Sequence, residues 1–312
     1  DIAGTAGQQI SCKYGPGELV APHNQSLITN VPASALRLPS SYQAPVLGRA
    51  FPKAAFSTSL RAPHTNYPYV RTLHRHDTEI TLDLNHPLSG AEIELSARVG
   101  TAKNHAAWVP TMVASRHHAL GRLLDTGPGL QAPHVDASAD YLATYPLPRD
   151  DDEADALFYG VPRLVQHLDA TAIAEISTLY AQLLDPGMRV LDILSSWKSH
   201  LPQAWAPMEG VCLGLNEDEL RRNEQLGDYR VHDLNRCPSL PFDDASFDAV
   251  ICNVSVEYLI RPLEVFAEVF RVLRTGGVFI NTFSDRCFPT KAIALWRHLH
   301  PFERLQYALS LY

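Results

Sequence analysis

Short apolar runs alternate with helix-like stretches between Met188 and Ser284. Each run ends on a small or acidic polar residue, and the runs read MRVLDI, GVCLGLN, DYRVHDLN, FDAVICN and GVFINTFS. Strands that alternate with helices predict an α/β fold with a parallel sheet. Ligands bind beyond the carboxyl ends of such strands, so we expect Asp192, Asn216, Asp233 and Asn253 to share one rim. That rim predicts a site for a nucleoside-like cofactor, although the turn SSWKSH after the first run lacks the usual glycines.

The helices of this zone follow from apolar spacing. TAIAEISTLYAQLLDPG places apolar residues at helical intervals and stops at Pro186-Gly187. RPLEVFAEVFRVLRTGG repeats the pattern, with Pro262 suited to the first turn and Gly276 to the C-terminal cap. The last stretch, from Thr290 to the end, is helical in period and is interrupted at Pro301.

Two further zones precede this one. Residues 1–100 are rich in proline and turn residues and contain short β-like runs, of which TEITLDLNHPLSGAEIELSARV predicts a strand, a loop and a second strand. Residues 101–155 mix Gly, Pro, His and Ala and end in the acidic run RDDDEAD. We expect them to form a linker with one short helix near Val113–Leu124. Residues 156–312 then form the α/β domain.

Composition narrows the class of protein. The chain has 312 residues, 46% hydrophobic and 19% charged, which is typical of a folded protein with room for two domains. The net charge of −8 argues against a nucleic-acid partner, and no apolar stretch of about 20 residues predicts a membrane span. Five scattered cysteines without a CxxC pair favour the cytoplasm or another reducing interior. Oligomeric state is left open.

The two ends of the chain suggest missing residues. No basic-then-apolar leader follows Asp1, so no signal peptide is expected. The chain starts without Met, and nothing after Lys291 reads as a further strand. We therefore expect a chain trimmed at both ends.

A resemblance to a known family rests on two stretches. LPFDDASFDAV (Leu240–Val250) followed by LRTGGVFI (Leu273–Ile280) resembles the class I S-adenosylmethionine-dependent methyltransferases of the type 11 group. The resemblance covers about Phe158 to Lys291. It implies a Rossmann-like, doubly wound, mostly parallel sheet that transfers a methyl group from S-adenosylmethionine to a small-molecule acceptor and leaves S-adenosylhomocysteine. The acceptor atom is left open.

The resemblance also implies a role for each strand end. Asp192 would be the acidic residue of the first motif, Ser195 and Ser196 would lie beside the methionine part of the cofactor, and Asn216 would meet the ribose hydroxyls. Asp233 with the backbone of Leu234 would read the adenine amino group, and Asn253 would face the methyl group. The stretches Asp192–His200 and Phe283–Ala292 resemble a subgroup with the pattern DxxSSWxSH and FSxRCFPTKA, in which the serines are a variant of the glycine loop.

Substrate contacts are expected from the same rim. His200 is a candidate general base, Tyr258 a further catalytic candidate, and Arg286 a candidate to grip an anionic substrate. Each has a structural alternative, such as a backbone donor for His200 or a helix-start position for Tyr258. The same rim also carries Trp197, Glu257, Cys287 and Lys291.

The N-terminal zone has its own resemblance. KYGP (Lys13–Pro16), ITNVP (Ile28–Pro32) and DLNHPLSG (Asp83–Gly90) are similar to SlyD-like FK506-binding prolyl isomerases. Only the later part of that fold is represented, so we expect a smaller β-rich accessory domain in which isomerase or chaperone activity stays open. His74, His76 and the pair His117-His118 form no convincing ligand set, and no metal site is expected.

Two alternatives to a small-molecule methyltransferase remain at this point. One is a protein methyltransferase whose β domain recruits polypeptide. The other is a non-catalytic chaperone or binding module that keeps the methyltransferase fold without its activity.

Overall fold

The computed structural model describes residues 9–39, 42, 44–57, 60, 67–98, 128–132 and 141–312. The chain divides into two compact units, one drawn from Asp1–Ala143 and His298–Ser310 and the other from Thr144–Arg297 and Leu311–Tyr312. Residues 144–155, which the sequence assigns to a linker, belong to the second unit. The helix expected near Val113–Leu124 lies outside the described residues, and the predicted domain bounds stay a prediction.

The elements follow in chain order. The strands are β1 Gln9–Tyr14, β2 Ile28–Pro32, β3 Ala50–Pro52, β4 Tyr69–Arg75, β5 Glu79–Asp83, β6 Ile93–Arg98, β7 Val190–Ile193, β8 Met208–Gly214, β9 Leu226–Val231, β10 Phe247–Asn253 and β11 Leu273–Thr282. The helices are α1 Pro128–Gln131, α2 Asp155–Phe158, α3 Ala170–Leu183, α4 Glu217–Arg221, α5 Pro262–Val272, α6 Ala294–His298 and α7 Pro301–Ser310. Among the described residues, no helix is long and apolar enough to cross a membrane.

The first unit contains antiparallel sheets. Strand β1 pairs with β6, and a four-stranded sheet has the order β2-β5-β4-β3. The buried residues Phe51, Val70, Ile80 and Leu82 form its core. In β5, Ile80 and Leu82 are buried on either side of the less buried Thr81, as the alternation in TEITLDL predicts. The β-rich character is confirmed, while the FK506-binding resemblance stays a prediction.

The second unit is built on one parallel sheet with the order β11-β10-β7-β8-β9. In this order the chain winds outward from β7 in one direction and from β10 in the other. The crevice between the carboxyl ends of β7 and β10 is therefore the topological switch point, where ligands bind in sheets of this kind. The predicted Rossmann-like, doubly wound fold is confirmed for this unit.

Local sequence explains why these elements form. Strand β7 is buried at every position, and its apolar run suits a strand covered on both faces. Helix α5 begins with Pro262 in its first turn, as predicted. The predicted C-terminal cap at Gly276 is wrong, because α5 ends at Val272 and Gly276 lies inside β11 with a φ of +83°.

Candidate functional site

A cavity of about 670 Å³ opens at the carboxyl edge of the parallel sheet. Its volume is in the range of small-molecule sites. Every predicted site residue except Asp192 lines it: Ser195, Ser196, His200, Asn216, Asp233, Leu234, Asn253, Tyr258 and Arg286. The sheet topology thus gathers residues that lie up to 91 positions apart, while their chemical roles stay predictions.

Asp192 lies at the end of β7, beneath the lining residues, and is buried. Its carboxylate accepts a hydrogen bond from Ser195 Oγ at 2.6 Å and has no ion-pair partner in the described part of the chain. Burial raises the pKa of this carboxyl to about 7, against the hydrogen bonds from Ser195, Ser199 and Asn253 that lower it. Because this carboxyl has no cationic partner among the described residues, a positive charge in the neighbouring cavity would favour its ionised form.

The loop after β7 adopts a strained conformation. Leu194 and His200 have φ values of 53° and 58°, and Val254, in the loop after β10, has a φ of 41°. All three residues line the cavity, and non-glycine residues rarely adopt this left-handed region. Such outliers persist only where the surrounding structure enforces them, and they cluster at functional sites.

The end of β8 is a glycine for a steric reason. A Cβ added to Gly214 would lie 2.2 Å from the carbonyl oxygen of Ser195. The loop after β7 therefore fills the space that a side chain at the end of β8 would need. The conformation of the loop that carries Ser195 and Ser196 therefore depends on glycine at position 214, a link that sequence reasoning missed.

Asn216 follows as the N-cap of α4, where its Oδ1 accepts the Glu219 N–H at 3.1 Å. Its Nδ2 donates to the Tyr159 carbonyl at 2.7 Å. Glu219, which sequence reasoning missed, accepts from Ser196 Oγ at 2.6 Å and also lines the cavity. The predicted contact of Asn216 with ribose hydroxyls would have to share its amide with these two partners.

Asp233 and its neighbours form a turn after β9. Asp233 Oδ1 accepts the backbone N–H groups of Asn235 and Arg236 at 3.0 and 3.1 Å. Its second oxygen has no partner among the described residues. Leu234 is buried and is one of the residues that line the cavity. This arrangement leaves one carboxylate oxygen able to accept a hydrogen bond from a ligand.

Asn253, at the end of β10, connects the site to α3. Its Oδ1 accepts from Tyr180 Oη at 2.5 Å, and its Nδ2 donates to the Ser199 carbonyl at 3.2 Å. The same Nδ2 lies 3.5 Å from Asp192 Oδ1. Its side chain therefore links the end of β10 to the loop after β7.

The three predicted substrate contacts differ in their surroundings. Burial and the nearby Lys198 lower the pKa of His200, which favours the neutral imidazole at neutral pH. Tyr258 Oη accepts the Phe288 N–H at 2.9 Å, and burial raises its pKa. Arg286 is exposed, and its Nη1 donates to the His167 carbonyl at 3.1 Å.

Sequence reasoning missed the segment 155–168, which we call the strap. Its inward residues Asp155, Tyr159, Arg163 and the run 165–168 line the cavity. Side chains from the sheet edge anchor its backbone: Trp197 Nε1 donates to the Val165 carbonyl at 3.3 Å, and Glu219 accepts the Arg163 N–H at 2.5 Å. Asn216 and Arg286 add the bonds to Tyr159 and His167. The strap is therefore a wall of the cavity.

A buried ionic cluster holds the start of the strap. Lys291 is 0% exposed, and its Nζ lies 3.0 Å from Asp151 and 3.3 Å from Asp155. Arg149 pairs with Asp155 at 2.8 Å, and Asn235 Nδ2 donates to the same carboxylate at 2.8 Å. The acidic run RDDDEAD is thus part of the folded unit.

The sequence also places four further residues on the rim, and the structure puts only two of them at the cavity. Trp197 and Cys287 line the cavity. Lys291 and Glu257 are fully buried and do not line it. The expectation that Lys291 and Glu257 contact substrate from the rim is wrong, because Lys291 balances buried carboxylates and Glu257 faces the interior.

Comparison with known proteins gives this geometry a context. Residues 209–281 match the family described as "Methyltransferase domain". The chain is 36% identical over 104 residues to the fatty-acid O-methyltransferase of Mycolicibacterium smegmatis, covering 31% of this chain and 37% of the relative. It is 29% identical over 138 residues to the demethylmenaquinone methyltransferase of Renibacterium salmoninarum, covering 43% and 53%.

Other matches are shorter or more remote. The biotin biosynthesis bifunctional protein BioHC of Teredinibacter turnerae is 34% identical over 96 residues, covering 30% of this chain and 16% of that protein. Among solved structures, the PH0226 protein of Pyrococcus horikoshii is 25% identical with a TM-score of 0.34, covering 41% of this chain and 66% of that one. The chain spans about half or less of the length of the fatty-acid O-methyltransferase, the demethylmenaquinone methyltransferase and the bifunctional BioHC protein that it matches. The fold assignment rests on the strand order, and the methyltransferase match covers β8 to β11.

Proposed function

We propose that this protein binds S-adenosylmethionine in the cavity and transfers its methyl group to a small-molecule acceptor. The observation that carries this proposal is the position of the cavity at the switch point of a doubly wound sheet whose strands β8–β11 match a methyltransferase domain. Relatives that act on quinone and fatty-acid substrates support a small-molecule acceptor.

The lining fits a cationic nucleoside ligand. The unpaired carboxyl of Asp192 lies beneath the loop Leu194–His200 and suits a positive charge, while the free oxygen of Asp233 suits an amino group. Ser195, Ser196 and Asn253 supply short polar side chains near the centre of the edge. When bound, the cofactor supplies an electrophilic methyl group on a sulfonium.

The residues of the chain would contribute mainly by positioning. In-line displacement needs the acceptor and the methyl carbon held in near-attack geometry, and the strap and the aromatic side chains around Tyr258 supply walls for that positioning. His200, held neutral by its lowered pKa, is a group able to take a proton from an acceptor.

Asp233→Asn tests the site without breaking its turn. The variant keeps Oδ1 for the two backbone N–H groups and loses the charge, so we expect cofactor affinity to fall by about 1.5–3 kcal/mol, the range for a charge-assisted hydrogen bond. Asp243→Asn is the matched control, because Asp243 is exposed and does not line the cavity. Equal affinities of the two variants for S-adenosylhomocysteine would show that Asp233 does not contact the ligand.

The acceptor class has its own test. Protein incubated with methyl-labelled S-adenosylmethionine and a cell lysate is expected to place the label in acid-soluble material. Label in the acid precipitate would instead support the proposal that the protein methylates polypeptides recruited by the N-terminal β domain. No transfer, together with intact cofactor binding, would support a binding module.

We also propose an accessory role for the FK506-binding-like region and a reducing location such as the cytoplasm. The buried pair Arg71–Asp83, at 2.8 Å, orders the DLNHPLSG stretch and supports a structural rather than a catalytic use of it. None of the five cysteines, which all lie in the described residues, forms a disulfide, and this fits a reducing compartment. A prolyl isomerase assay on a tetrapeptide substrate, with no rate above background expected, tests the first point.

A further inference from the structure

One side of the cavity is aromatic. Tyr159, Tyr258 and Phe288 line it, and we call these three residues the aromatic wall. Their ring centroids lie 6.0–6.4 Å apart. Phe158 packs behind Phe288 at 5.3 Å. This wall offers an apolar surface to whatever part of a ligand extends past the sheet edge.

Two arginines border this wall. The guanidinium of Arg163 lies 5.3 Å from the Phe288 ring centroid and donates to the Phe158 carbonyl at 2.9 Å. Arg286 is bonded to the carbonyl of His167, whose ring packs against Phe288 at 5.3 Å. Both arginines line the cavity, Arg163 in contact with the Phe288 ring and Arg286 bonded to the backbone of His167.

Neither arginine forms an ion pair with a carboxylate that the structure describes. No carboxylate oxygen of the described residues lies within 4.0 Å of either guanidinium, although the exposed Asp285 is the direct neighbour of Arg286. Asp155, the acidic residue of the strap, is already paired with Arg149 and Lys291. Each guanidinium carries five N–H donors and uses one in the bonds above, so most of the donors remain available.

A bound anion would neutralise guanidinium charge at this wall. An arginine fork matches a carboxylate in two parallel hydrogen bonds. The remaining surface there is apolar, including Val165 of the strap, which is 56% exposed. The local chemistry therefore combines an anion site with an apolar surface.

We propose that the methyl acceptor is an amphiphilic acid, whose carboxylate is held by Arg163 and Arg286 and whose apolar part lies on the aromatic wall. The inference rests on the proposed function and names the substrate class of the same site. A carboxylate is also present in the methionine part of the cofactor, so the test has to distinguish the two sources.

The test is a calorimetric titration of protein saturated with S-adenosylhomocysteine. Octanoate and octanol serve as probes, because they share an eight-carbon chain and differ in charge. We expect octanoate to bind about tenfold more tightly than octanol or better, as for one or more charge-assisted hydrogen bonds. Octanoate that binds no better than octanol, or does not bind at millimolar concentration, overturns the proposal.

Variants of the two arginines test whether they bind the carboxylate of octanoate. Arg163→Gln and Arg286→Gln are each expected to lower octanoate affinity about tenfold and to leave octanol and S-adenosylhomocysteine affinity unchanged. Arg236→Gln is the matched control, since Arg236 is exposed and lies outside the cavity. Because Arg163 also packs on Phe158, Arg163→Lys is a second variant, expected to keep part of the octanoate affinity by keeping the charge.

Two other outcomes would contradict one of the two proposals. If either Gln variant weakens S-adenosylhomocysteine and spares octanoate, the arginines hold the cofactor carboxylate and the proposal is overturned. If the unmodified protein binds octanoate but no S-adenosylhomocysteine, the proposed function itself fails, and the anion site is then separate from methyl transfer.

Discussion

At the scale of single residues, Asp192 carries the main electrostatic feature of the site. Its carboxyl is buried without a cation, and its pKa of about 7 lies above the usual 3.8. The unfolded chain ionises this group near pH 4 and the folded protein only near pH 7. Stability is therefore lost as pH rises through this window and is not regained above it.

Replacing the carboxyl by an amide should remove this loss. We compare the free energy of unfolding of Asp192→Asn with that of the unmodified protein at pH 5 and at pH 8. The difference is expected to be about 2 kcal/mol more in favour of the variant at pH 8 than at pH 5. Urea denaturation at both pH values measures it. An equal difference at pH 5 and pH 8 would mean that Asp192 is ionised in the folded protein throughout.

At the scale of elements, the loop after β7 and the end of β8 are fitted to each other. Gly214→Ala would put a Cβ against the Ser195 carbonyl and displace the loop that carries Ser195 and Ser196. We expect the variant to lose S-adenosylhomocysteine affinity about tenfold or more, as a misplaced site does.

Gly187→Ala is the matched control for this experiment. An added Cβ at Gly187 meets nothing within 4 Å, so this variant should bind like the unmodified protein. If calorimetry gives Gly214→Ala unchanged affinity, the serine loop is not part of the cofactor site.

The strap depends on an ionic cluster that joins distant parts of the chain. Lys291→Met removes a fully buried cation that pairs with the buried Asp155, and we expect a loss of about 3 kcal/mol in the free energy of unfolding, since Arg149 still pairs with Asp155. Arg221→Met, which breaks an exposed pair with Glu217, should lower the free energy of unfolding far less. Similar losses in the two variants, measured by urea denaturation, would contradict the structural role assigned to Lys291.

This cluster also shows where sequence reasoning reached its limit. Continuous apolar runs predict buried strands such as β7, and apolar residues at helical spacing predict amphipathic helices. Both kinds of element could therefore be predicted from the sequence. The acidic run RDDDEAD looked like a solvated linker, because its partner Lys291 lies about 140 positions away and no local pattern connects them. Glu219 and Arg163 were missed for the same reason: their partners are set by tertiary contact.

At the scale of the whole molecule, strand order decides where chemistry can occur. The order β11-β10-β7-β8-β9 brings the ends of β7 and β10 to one crevice, although 53 residues lie between Ile193 and Phe247. That intervening stretch carries Asn216 and Asp233. The rim could be predicted from the sequence because parallel strands share one carboxyl edge. Its wall could not, since the strap comes from outside the repeating pattern.

The central claim is that this crevice binds S-adenosylmethionine. A calorimetric titration of the unmodified protein with S-adenosylmethionine tests it most directly. The geometry predicts saturable heat with one site per chain, reduced in Asp233→Asn and unchanged in Asp243→Asn. Absence of heat at millimolar ligand would contradict the claim.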